Sequence, residues 1–132
     1  MFVMPLANGA LASVANEHVN TGVTNHEAGI LGLAEFNYRQ AIRIDPCNAL
    51  AHFNLAHILD RRGDTALALD HYRVAVRYTY ADAMYYAAIC ARNLGMKYMA
   101  FEYFDLYCRV GENEDLVNSA HDELTRLQDK LL

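Results

Sequence analysis

Six histidines, three cysteines and sixteen acidic side chains are the residues of this chain whose types could hold a metal ion, attack as a thiolate or move protons. Their spacing argues against each use. A metal edge on a helix needs ligands that share one face, whereas His52 and His57 are five apart and point to different faces. His18, His26, His71 and His121 stand singly and read as solvated surface residues. Cys47, Cys90 and Cys108 are odd in number and make no C-x-x-C pair, so neither a disulfide framework nor a zinc site is indicated. Cys90 and Cys108 lie on apolar stretches and are expected to be buried, inert thiols; Cys47 lies in a loop and is the accessible one. No glycine-rich phosphate loop, nucleophile elbow or H-E-x-x-H is present. The expectation is therefore no catalytic residue, no cofactor and no metal site, and so no enzyme. Nine tyrosines could stack on nucleobases, but a formal charge of −5 opposes a phosphate backbone, which needs clustered Lys and Arg. Nucleic acid is not the expected partner.

The elements that carry these residues follow from a repeat. Gly29, Gly63 and Gly95 recur at near-constant spacing, and behind each comes a second series. That series is Ala34-x-x-x-Tyr38-x-x-Ala41, then Ala68-x-x-x-Tyr72-x-x-Ala75, then Ala100-x-x-x-Phe104. Such a period marks one supersecondary unit used repeatedly. Each glycine ends a helix in the left-handed conformation that a residue without Cβ adopts cheaply, so the unit is a helical hairpin. Alanines at fixed offsets let paired helices approach closely, with Ala56 facing Ala68 and Tyr72 filling the space between that hairpin and the next. The pattern predicts helices over 9–28, 30–44, 48–62, 65–78, 81–94, 96–110 and 114–131, with Asp64 and Asn113 as N-caps. In the last helix Leu116, Ala120, Leu124, Leu127 and Leu131 form one apolar stripe, placed to close the open end of a stacked array.

The unit resembles the tetratricopeptide repeat. The segment Ala41-Ile42-Arg43-Ile44-Asp45-Pro46-Cys47-Asn48 is similar to that family's unit ending, and Asn54-Leu55-Ala56, Gly63-Asp64, Ala68, Tyr72 and Ala75 fall on its pattern positions. In the first unit the resemblance rests on Asn20, Gly22 and Gly29, and in the third Tyr107 replaces the last alanine and no proline follows. The resemblance implies an all-α fold of antiparallel helical hairpins stacked as a short right-handed α-solenoid. Its expected divisions are an N-terminal segment (1–14), three units (15–112, divided as 15–48, 49–80 and 81–112) and a capping helix (113–132). His52 then falls where the family has a large hairpin-facing residue, which makes it a partly buried packing histidine.

A fold of this family implies recognition of another protein. The first helices of the hairpins line a concave groove that holds an extended segment or a helix of a partner. By register the partner-binding residues are Val23 from the first unit, Leu50, Phe53, His57 and Arg61 from the second, and Tyr85, Ile89 and Arg92 from the third, with Val19, His26, Glu27, Asp60, Asp82 and Asn93 also on that surface. An apolar strip with a charged margin suits a peptide anchor. Family members that grip the acidic tail of heat-shock chaperones use lysines, asparagines and an arginine; the matching positions are Val19, Val23, Asn54, Asp82 and Tyr86, of which only Asn54 fits, so that ligand is not expected. The expected function is a non-catalytic interaction module, an adaptor or a small bacterial secretion-type chaperone. The alternative is an assembly subunit that forms a homodimer through Leu6, Leu11 and Val14 of its N-terminal segment. No run reaches the length of a membrane span, and the apolar start lacks the basic region of a secretory signal. No membrane partner and a cytoplasmic location are expected.

Overall fold

The structure is a computed structural model that describes the backbone of residues 5–131 and the side chains of residues 9–130. Among them are seven helices: α1 (Pro5–Glu27), α2 (Leu31–Ile44), α3 (Ala49–Arg62), α4 (Thr65–Arg77), α5 (Ala83–Asn93), α6 (Lys97–Val110) and α7 (Glu114–Leu131). Helices α1 and α2, α3 and α4, and α5 and α6 pair as antiparallel hairpins, each stacked on the next, and α7 packs on α6. The chain is an all-α, short right-handed solenoid.

Three turns have one cause. Gly29, Gly63 and Gly95 hold φ of 78°, 98° and 79°, a region that costs other residues a steric clash at Cβ. Each glycine N–H bonds back three residues and the following N–H bonds back five, as in Gly63 to Asp60 and Asp64 to Leu59, which closes the helix end in a Schellman motif. The joints between hairpins differ. After α2 the chain turns through Asp45-Pro46, where the Asp45 carboxylate accepts from the Cys47 N–H at 3.1 Å. Asn48 then caps α3 by accepting from the Ala51 N–H at 2.9 Å. After α4 the same five-residue closure recurs, Tyr80 to Ala75, but its left-handed residue is Thr79 at φ 77°. Asn113 caps α7 through the Leu116 N–H at 3.2 Å as its sequence position predicts, whereas the Asp64 side chain makes no cap bond.

Small residues sit where the helices cross. Ala56 and Ala68 are fully buried, and in the first hairpin Gly22 takes the place that Ala56 holds in the second. A Cβ on Gly22 would lie 2.6 Å from the Tyr38 ring, well inside any real carbon contact, so the glycine is what lets Tyr38 enter the core. Tyr38, Tyr72 and Phe104 repeat at one register and are all buried. Tyr72 is the expected wedge: its ring stacks on Tyr86 of α5 in the next hairpin, 5.8 Å away at 21°. At the C-terminal end Leu116, Ala120, Leu124 and Leu127 lie against the core; the side chain of Leu131 lies outside the described residues. Helix α1 is described from Pro5 onward and runs unbroken through Asn8 and Gly9, the point at which the sequence pattern predicts it to start.

Candidate functional site

The first helices of the hairpins, α1, α3 and α5, carry the residues that sequence register puts on one surface, with Asp82 just ahead of α5. Phe53 is the centre of what they build. Its ring meets His57 at 4.5 Å, Tyr80 at 4.5 Å, Tyr86 at 5.5 Å and Tyr72 at 5.8 Å, mostly edge to face, arrangements in which the positive edge of one ring meets the negative face of another. Tyr85 continues the chain of rings to Phe104 and Tyr107 in α6. The aromatic cluster thus crosses from the second hairpin to the third.

Burial sorts the expected residues. Phe53 is only 8% exposed and is floor rather than free anchor; Val19, at the same register in α1, is fully inside the core. Val23, Tyr85 and Ile89 are half-buried and packed against that core, while Leu50 and Arg61 are open to solvent. His57 is half-buried, and its Nδ1 is hydrogen-bonded to the Tyr72 hydroxyl at 2.8 Å. Burial, with the nearby His26, Arg61 and Asp60 charges acting as smaller and mixed influences, holds its pKa below the ordinary imidazole value, so the ring is neutral at pH 7. Arg92 is engaged: its guanidinium lies 2.6 Å from the Glu123 carboxylate of α7, which Arg126 also approaches at 3.1 Å. The capping helix therefore ties down the arginine that register assigns to the groove margin.

Two features escaped the sequence reading. Tyr86, beside Tyr85 and equally aromatic, contacts Phe53, His57, Tyr72 and Tyr85 and is the more central of the pair. In the sequence it stands out only as one of the positions that do not fit the clamp for acidic tails. Asp82, N-terminal to α5, accepts a 2.5 Å hydrogen bond from the Tyr107 hydroxyl. Burial and then this carboxylate push the Tyr107 pKa upward. Buried Cys90, on the hidden side of α5, has its pKa raised to about 12 by burial and by Asp60, which keeps it a thiol and inert, as expected.

Away from the groove, His71 is not the solvated residue its isolation suggests. Its Nδ1 lies 2.9 Å from Nδ1 of buried His52, whose Nε2 lies 2.8 Å from the Pro46 carbonyl. A carbonyl only accepts, so His52 carries its proton on Nε2 and accepts at Nδ1 from His71. The pair joins α3, α4 and the α2–α3 joint. Among the described residues no three His, Cys, Asp or Glu side chains converge as metal ligands, and no helix is long and apolar enough to cross a membrane.

Comparison with known proteins agrees with this architecture. The tetratricopeptide repeat family matches residues 37–70, which include the C-terminal part of α2, the whole of α3 and the start of α4. No curated protein matches the sequence. Among solved structures, the first such domain of Spaghetti, bound to the HSP90 peptide SRMEEVD, superposes with a TM-score of 0.77 at 20% identity, over 89% of this chain and 92% of that one. The Yersinia enterocolitica type III secretion chaperone SycD, in complex with a peptide of the translocator YopD, gives 0.81 at 14% identity, over 91% and 96%. PcrH in complex with the chaperone-binding region of PopD gives 0.78 at 18% identity, over 91% and 95%. The chain has the fold of tetratricopeptide-repeat proteins, with about three units and a capping helix.

Proposed function

We propose that this solenoid is a non-catalytic protein-interaction module that holds a peptide or helix of another protein against the concave face of α1, α3 and α5. The supporting observation is the surface itself: half-buried Val23, His57, Tyr85, Tyr86 and Ile89 over an aromatic floor, bordered by exposed Leu50 and Arg61. Half-buried rings and aliphatic side chains offer contact area at low entropic cost, because their own core contacts already hold them in place. Three solved proteins of the same fold are each described with a bound peptide or protein segment, and one of them, SycD, is a type III secretion chaperone. A small chaperone or adaptor working in the cytoplasm is accordingly the specific role we favour.

The test is capture from extract of the native cell, read by mass spectrometry, with two variants in parallel. Leu50→Lys with Ile89→Lys places charge on the groove, and Phe36→Lys places it on exposed Phe36 of α2, outside the groove. A partner retained by the wild type and by the α2 variant but lost by the groove variant, with circular dichroism unchanged, supports the reading. A partner lost only with Phe36→Lys moves the binding surface to the second helices.

A further inference from the structure

The groove is not electrically neutral once its internal pairs are assigned. Among the described residues the ion pairs engage Glu35, Glu123 and Asp105, and Glu123 is shared by Arg92 and Arg126. Among the described residues, Glu27, Asp60 and Asp82 of the concave register make no ion pair, and neither does Arg61. His57 does not restore the balance, since the burial that depresses its pKa leaves it uncharged at neutral pH.

Asp82 is the most organised of the three carboxylates. One oxygen is fixed by the Tyr107 hydroxyl at 2.5 Å, which leaves the other oxygen available. The carboxylate charge is felt by Tyr80 and Tyr86, whose pKa values rise through burial first and Asp82 among the further causes. Tyr86 lies one turn along α5 from it, and Tyr80 and Asp82 share the wall of an open cavity of about 520 Å³ with Glu112 and Asn113. A fixed carboxylate beside electron-rich ring faces is a receptor for an organic cation, by ion pairing and cation–π attraction together. An anionic segment would meet repulsion at the same place.

We infer that the segment held in the groove carries a lysine or arginine whose charged head is received at Asp82 beside Tyr80 and Tyr86, with the apolar remainder of the segment on Val23, Tyr86 and Ile89. This rests on the groove reading above and adds the chemistry of the occupant. A groove of this charge selects against acidic tails and for apolar segments with a basic residue.

The experiment is selection of a random dodecapeptide library on the intact protein, followed by titration of the best peptides. Selected sequences are expected to be enriched in Lys and Arg and depleted in Asp and Glu. Replacing the basic residue by norleucine should weaken binding roughly tenfold, as loss of a charge-assisted contact does. Asp82→Asn, which keeps an acceptor for Tyr107, should weaken the parent peptide by a similar factor yet barely alter the norleucine analogue. If Asp82→Asn lowers the melting temperature, salt replaces it: from 50 to 500 mM NaCl the parent peptide should lose affinity and the analogue should not. Peptides that bind, are lost with Leu50→Lys and Ile89→Lys, and show neither basic preference nor salt dependence overturn the inference and leave the groove reading standing. No selected peptide, or binding indifferent to the groove variant, overturns both.

Discussion

Tyr38 and Tyr72 occupy one register in successive hairpins and are equally buried, yet removal of the hydroxyl should act on them with opposite sign. The Tyr72 hydroxyl is bonded to His57 Nδ1 at 2.8 Å. The Tyr38 hydroxyl is shut off from solvent and has no hydrogen-bond partner among the described residues. An uncompensated buried hydroxyl costs on the order of 1–3 kcal/mol of desolvation, whereas a satisfied one contributes a net ~1 kcal/mol. Tyr38→Phe should therefore stabilise by about 1 kcal/mol, less a small loss where the oxygen leaves space, and Tyr72→Phe should destabilise by about 1 kcal/mol because His57 is left unpaired. For a domain of this size 1 kcal/mol is roughly 4 °C in melting temperature. Phe104 holds the third copy of this register, so the phenyl ring is already tolerated there. Thermal unfolding followed by circular dichroism, with urea melts to confirm an unchanged slope, separates the two variants. Equal destabilisation by both would refute the reasoning, because it would mean the Tyr38 hydroxyl is satisfied in solution.

Three further outcomes follow from the same structure. Thr79→Gly should stabilise by about 1 kcal/mol, since a β-branched residue at φ 77° holds a conformation that glycine adopts without strain; a drop in the urea midpoint would contradict the assigned turn. Truncating Tyr72 to alanine should cost about 3–5 kcal/mol, as loss of a large buried ring does, and a loss under about 1 kcal/mol in a thermal melt would mean that the ring is no wedge. Burial lowers the pKa values of His52 and His57, and lowers His71 to about 4 through burial first and then the charges of His52 and Arg39. These groups are lowered on folding, so the unfolded chain binds more protons below its pKa of about 6.5, and their stabilisation is present above that pH and is lost as pH falls toward 4. A melting temperature that rises from pH 7 to pH 5 would contradict the neutral pair.

Much of the fold is legible because its punctuation is chemical. Glycine at three of the four left-handed helix ends, alanine at the crossings and a proline after α2 each have one steric reason, and together they set the hairpin register. The fourth such end was hidden because Thr79 does at a cost what glycine does freely, so the joint between the second and third hairpins reads only as a run of tyrosines. The candidate site was less legible than the fold. Register assigned Tyr85 to the groove and passed over its neighbour Tyr86, whose ring is the one that turns onto Phe53, His57 and Tyr72, and Phe53 itself is largely buried. The tie between Arg92 and Glu123 joins elements 31 residues apart (123 − 92), and the histidine pair spans two helices; neither leaves a periodic trace.

The central claim is that the concave face of α1, α3 and α5 is where a partner binds, and amide chemical-shift mapping with a peptide selected on the intact protein tests it most directly. The account predicts that the largest shifts on titration fall at Val23, His57, Tyr86 and Ile89 and at the amides around Asp82, with α2, α4 and α6 little changed on their outer faces. Shifts concentrated at exposed apolar residues of the second helices, such as Leu33, Phe36, Leu67 and Leu106, with the first helices silent, would contradict it.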